Sequence, residues 1–165
     1  MKSTLFILLF TLSLTTTSGQ NFQLKKINSN ELGKEFAASN YEMNTLYTHL
    51  KRNYKIIREK YNVKYDEEMN NEECGFMAQF EPNITYTYLN CGEAKPVEEK
   101  ISFPKVVKEA LQYWIEQLHL TQLMGDHNIW YKGENEYGPK DEEAGCYYKI
   151  IPSKEQSIVE IWCGS

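Results

Sequence analysis

The side chains able to do chemistry are few and widely spaced. Glu116 and His119 stand three apart, a spacing that puts both on one helix face and that metal sites use, but no third ligand is identifiable close by. His127, inside Gly125-Asp126-His127-Asn128, reads as part of a polar turn. Nucleophilic catalysis has less to draw on: there is no Gly-x-Ser-x-Gly, and no serine has an Asp and a His near it in sequence. Adjacent acids such as Glu67-Glu68 and Glu142-Glu143 are what an acidic chain contains in any case, and they carry no signal of glycoside hydrolysis. Cys74, Cys91, Cys146 and Cys163 lack any Cys-x-x-Cys spacing, so they point to disulfides before zinc. These residues predict no catalytic group, no bound metal and no cofactor.

The element best able to position anything is the C-terminal end. Gly145–Pro152 and Ser157–Cys163 are rich in β-branched and aromatic residues and are joined by the polar Ser153-Lys154-Glu155-Gln156, which predicts a β-hairpin with a cysteine at each outer end. Closing near Lys154-Glu155, it sets Cys146 opposite Cys163 at ordinary disulfide spacing. Of the three formal pairings this one leaves Cys74 with Cys91, a loop whose closure stabilises a fold by roughly 3 kcal/mol.

Everything upstream reads as mainly helical. Met43, Leu46 or Tyr47, Leu50, Tyr54 and Ile57 recur at spacings of three and four, predicting an amphipathic helix from about Asn40 to Tyr61-Asn62. A second helix is expected from Asp66 as N-cap through Met69, Cys74 and Phe76 or Met77 to Phe80, ended by Glu81-Pro82 and weakened by Gly75. A third opens at Phe103-Pro104, with proline in the first turn, and buries Val106, Val107, Ala110, Leu111, Trp114, Ile115 and Leu118. Between the second and third, Pro82–Leu89 alternates β-formers with polar residues and holds the one glycosylation acceptor, Asn83-Ile84-Thr85. Gly125 to Gly145 reads as a long surface loop whose anchors, Trp130, Tyr131 and Tyr137, either contact a partner or pin the loop to the core.

Address and charge narrow the class. Met1-Lys2, the apolar run Leu5–Leu14 and the small residues Thr17-Ser18-Gly19 predict a signal peptide over 1–19, too short in its apolar part to span a bilayer. Residues 20–39 read as an N-terminal arm with at most a short helix, and 40–165 as a single domain. Without Lys2 the chain is one unit more negative than the −5 of the full sequence, and its lysines are interleaved with acids, which disfavours nucleic acid. Four cysteines in a secreted chain fit two disulfides.

The order of several short motifs resembles the CAP superfamily of secreted proteins (cysteine-rich secretory, antigen 5 and pathogenesis-related class 1 proteins), in its secreted nematode form. Tyr54-Lys55-Ile56-Ile57-Arg58 keeps the arginine of that family's first-helix motif, and Val63–Met69 is similar to the motif that opens its second helix. Cys91-Gly92-Glu93-Ala94 resembles its Cys-Gly-Glu-Asn turn, and Ala110–Trp114 its Trp-x-x-Glu helix. Gly145–Tyr148 and Val159–Cys163 resemble its two closing strands, whose cysteines are partners in many members. The resemblance spans about residues 42–163. It implies an α+β fold, an α-β-α sandwich with three or four helices around a small antiparallel sheet that includes the C-terminal hairpin. It also implies a degraded metal-binding cleft. Its remnants are Glu93, at its place in the Cys-Gly-Glu turn, Glu116, one residue before the place of the second acid, and His119, which echoes the family's Gly-His motif but stands too close to Trp114 to occupy its place. The expectation is a secreted, extracellular, non-enzymatic, monomeric glycoprotein engaging a protein or lipid partner. The alternative is a secreted metal-dependent hydrolase that uses Glu93, Glu116 and His119.

Overall fold

A computed structural model describes residues 22–67, 70–92, 96–122, 130–139 and 145–164. The leader predicted at 1–19, together with Glu93 and His127, lies outside them. In chain order the elements are α1 (Ser29–Ala38), α2 (Thr45–Asn53), β1 (Ile56–Asp66), β2 (Glu72–Phe80), β3 (Ile84–Leu89), β4 (Val97–Pro104), α3 (Lys108–Gln122), β5 (Trp130–Gly133), β6 (Glu136–Gly138), β7 (Gly145–Ile151) and β8 (Gln156–Gly164).

The eight strands form one antiparallel sheet in the order β1-β2-β3-β4-β8-β7-β6-β5. Each half is thus a four-strand meander preceded by helix, and the two meanders meet where β4 pairs with β8 along eight residue pairs, from Val97–Cys163 to Pro104–Gln156. One sheet face is apolar at alternate positions, as period-two geometry requires. Phe76, Ala78 and Phe80, then Ile84 and Tyr86, Ile101 and Phe103, Tyr148 and Ile150, and Val159 and Ile161 are all buried. The helices cover this face: Tyr47 of α2 meets Phe76, Trp114 of α3 meets Phe103 edge-on at 5.3 Å, and His119 meets Tyr148 at 5.6 Å. Each such large side chain removed from water contributes roughly 1.5–3 kcal/mol.

This replaces the expected α-β-α sandwich around a small sheet. The predicted helix from Asn40 is real only over Thr45–Asn53. There Asn44 caps it by accepting from the Tyr47 N–H at 2.7 Å, and Tyr54 leaves it with extended backbone. From Ile56 onward the chain is β1, because pairing with β2 satisfies its backbone groups and Ile56, Ile57 and Val63 suit a pleated strand. The second predicted helix, from Asp66 to Phe80, is strand over Glu72–Phe80, as β2. Cys74, Phe76, Ala78 and Phe80 alternate strictly and all are buried, a period of two that the larger spacing Met69–Cys74–Met77–Phe80 concealed. Gly75 has a role there, since a Cβ would come within 3.0 Å of Leu89 and of the Tyr88 carbonyl.

Asp66, predicted as an N-cap, ends β1, and its Oδ2 accepts from the Gly92 N–H at 2.5 Å, holding the turn after Cys91. Pro104 closes β4 instead of opening a helix, and α3 begins at Lys108. The expected loop from Gly125 to Gly145 contains the β5–β6 hairpin, which extends the sheet. The C-terminal hairpin is present as β7 and β8 with Cys146 opposite Cys163. Both expected disulfides form: Cys74–Cys91 with Cα atoms 4.9 Å apart and Cys146–Cys163 at 4.1 Å.

Candidate functional site

The seam between the two meanders carries an acid on the apolar face. Along β4, Glu98 and Lys100 are exposed while Glu99, Ile101 and Phe103 turn inward, so the pleat itself carries the Glu99 carboxyl under the helices. It is 7% exposed. A carboxylate placed so costs several kcal/mol unless donors meet it or it takes up a proton.

Donors come from two elements. The Tyr86 hydroxyl, on β3 and fully buried, donates to Glu99 Oε2 at 2.6 Å, and Asn44 Nδ2 donates to the Tyr86 oxygen at 2.7 Å. The Asn44 amide is oriented by its second task, since its Oδ1 caps α2. The start of α2 and the polarity around Glu99 therefore depend on one residue. Burial pushes the Glu99 pKa from 4.5 up to about 7, against the opposing pull of the Tyr86 and Asn44 hydrogen bonds. Burial, then the nearby Glu99 charge, holds Tyr86 far above an ordinary phenol, so Tyr86 remains the donor. Tyr148 on β7 is raised for the same two reasons.

Glu99 lines a cleft of about 570 Å³ between the α1–α2 connection and the Cys146–Cys163 end of the sheet. Its walls are mainly apolar and aromatic, including Phe36, Tyr41, Met43, Tyr88, Val97 and the Cys146–Cys163 disulfide. Asn44, Thr45 and His119 line it beside Glu99. A second hollow of about 520 Å³, between the arm at 22–27 and the start of α3, has Phe22, Leu24, Val106 and Tyr113 in its walls, with Lys26 and Lys105 at exposed positions. The indole N–H of buried Trp114 lies in its lining without a hydrogen-bond partner among the described residues, but no buried ionisable side chain among them lines it.

No family model, curated protein or solved structure matches this chain. The resemblance to the CAP superfamily gains no support from these comparisons, and the layering it implied is absent. Function has to be read from the site.

Of the cleft remnants singled out in the sequence, Glu116 and His119 can be placed, and they sit in different surroundings. Glu116 is exposed on α3, whereas His119 is buried, 2% exposed, with its ring edge-on to Tyr148. The pair expected on one face is divided between solvent and core. Glu93 lies outside the described residues, and among the described residues no three His, Cys, Asp or Glu side chains are grouped to hold a metal. Asn83 is exposed in the turn between β2 and β3, with φ of 56°, where a glycan would have room. Of the three aromatics expected at a partner surface, Tyr137 is 3% exposed and accepts from Gln112 Nε2 at 2.7 Å, pinning β6 to α3. Trp130 and Tyr131 lie on β5.

Glu99, Tyr86 and Asn44 were missed. A signal existed in Val97-x-Glu99-x-Ile101-x-Phe103, an acid at an inward position of a strand pattern. Reading Phe103-Pro104 as a helix start hid it.

Proposed function

We propose that this protein is a secreted binding protein that holds a small, largely apolar extracellular ligand in the cleft beside Glu99. The observation that carries the reading is one buried carboxyl, with its own fixed donors, set into an otherwise apolar and aromatic wall. Such a combination binds the body of a ligand by burial and fixes its orientation with one polar contact. Two disulfides fit an oxidising compartment, and no described helix is long and apolar enough to cross a membrane. The separation of Glu116 from His119 counts against a hydrolase built on those residues.

The test is binding of Nile red, a neutral apolar fluorophore, to the secreted protein and to Val97→Trp, which places an indole in the cleft. Saturable blue-shifted emission from the native protein, lost in the folded variant, is the expected result. Equal emission from both proteins, or none from either, would remove the cleft as a ligand site.

A further inference from the structure

Burial and a single polar contact leave the chemistry of that contact open, but the lining narrows it. Five observations point the same way. Glu99 is the buried acid of the cleft, and Glu42 at the rim is a second, exposed one. Among the described residues that line the cleft there is no lysine or arginine, and its one imidazole is that of buried His119. Its hydrogen-bond partners, Tyr86 and Asn44, are neutral donors that hold the carboxyl in place without adding positive charge. The walls present Phe36, Tyr41 and Tyr88, rings whose faces attract cations, with Phe36 and Tyr41 packed edge-to-face at 5.3 Å. The whole chain carries −5, which draws cations toward it at long range.

We infer that the ligand of this cleft is a small organic ammonium: a protonated amine on an apolar or aromatic body, its nitrogen donating to the Glu99 carboxylate and its body lying among Phe36, Tyr41 and Tyr88. This deepens the binding reading above and rests on it. A carboxylate held by neutral donors behind apolar walls is costly when empty, and a ligand cation relieves that cost through a charge-assisted hydrogen bond in a poorly solvated place. A neutral ligand of the same shape gains the burial but not this. An anionic ligand would meet Glu99 and Glu42 with like charge.

Calorimetric titration of the secreted protein at pH 8 with 2-phenylethylamine and with its neutral counterpart 2-phenylethanol separates the cases. The amine is expected to bind at least about tenfold more tightly than the alcohol. In Glu99→Gln, which keeps an oxygen to accept from Tyr86, the amine should weaken by roughly 10- to 100-fold and the preference disappear, with a thermal melt showing that the variant is folded. Equal binding of amine and alcohol to the native protein, or unchanged amine affinity in folded Glu99→Gln, overturns the ammonium assignment while leaving the cleft a binding site. No binding of either compound, together with no Nile red signal, overturns both.

Discussion

Glu99 and His49 are both buried beneath the helices, and they sit in different surroundings. Glu99, at the seam of the sheet, is met by the Tyr86 hydroxyl and the Asn44 amide and borders a cleft. His49 is on the inner face of α2, 4% exposed, with its ring 6.2 Å from that of Trp114 and its Nδ1 3.2 Å from Asn53 Nδ2. Burial drives both toward neutrality, raising Glu99 to about 7 and lowering His49 from 6.5 to about 4, with a Lys25 backbone hydrogen bond resisting the second shift. The difference lies in what surrounds them. His49 is packed between helices as a neutral ring, whereas Glu99 has an apparatus of donors aimed at it, an arrangement that a site needs and a core does not.

The largest expected effect tests the packing around His49. Trp114→Ala removes an indole that touches both His49 and Phe103, and should cost about 3–5 kcal/mol. Water admitted there should return the His49 pKa from about 4 toward 6.5, which NMR titration of the ring proton follows. A variant that loses stability while His49 stays near its native pKa would show that Trp114 is not what shields it.

The next effect is linkage, and the two groups pull in opposite directions. Glu99 has a raised folded pKa, so its contribution is fully favourable below 4.5 and is lost as pH rises to about 7. His49 has a lowered folded pKa, so its contribution is fully favourable above 6.5 and is lost as pH falls to about 4. Each window is worth roughly 3 kcal/mol at ~1.4 kcal/mol per pH unit, so in the native protein they largely offset. Glu99→Gln should be more stable than native by roughly 3 kcal/mol at pH 8 and about equal to it at pH 4. His49→Gln should show the reverse trend, gaining relative to native on acidification. Urea unfolding of the three proteins from pH 4 to 8 reads this directly, and parallel curves would contradict the assigned burial of either group.

A smaller change sharpens the Glu99 side. Tyr86→Phe removes the donor to Glu99 and leaves Asn44 Nδ2 without the phenol oxygen, costing about 1–3 kcal/mol. The Glu99 pKa should rise further. An unchanged Glu99 titration in this variant would mean that the hydroxyl does not hold the carboxylate.

The smallest effect belongs to the open face of the sheet. Lys100 and Glu160 pair at 2.7 Å with half-exposed side chains, and Lys100→Ala should shift stability by less than about 1 kcal/mol. A loss comparable to that of Tyr86→Phe would show that this face is buried in an assembly.

The chain alone determined what depends on local pattern. Cys146 faces Cys163 because two β-rich runs joined by four polar residues can close only as a hairpin, and the pairing of Cys74 with Cys91 follows from it. Helix α3 was legible from Leu111, Trp114, Ile115 and Leu118, which are all buried, but it starts at Lys108, so Val106 and Val107 precede it, and Val107 and Ala110, expected on its buried face, are exposed. Beyond that, spacing misled. Leu46, Leu50, Tyr54 and Ile57 fit a helix, and the stripe ends where β1 gains a strand partner that no local window contains.

Only the tertiary structure decided that β4 lies against β8, across a gap in sequence that contains α3 and three further strands. That pairing turns Glu99 inward beneath Tyr86 of β3, Tyr148 of β7 and the cap of α2. Composition and periodicity report each residue's own preference. A buried acid is defined by its neighbours, and here those neighbours come from three separate parts of the chain.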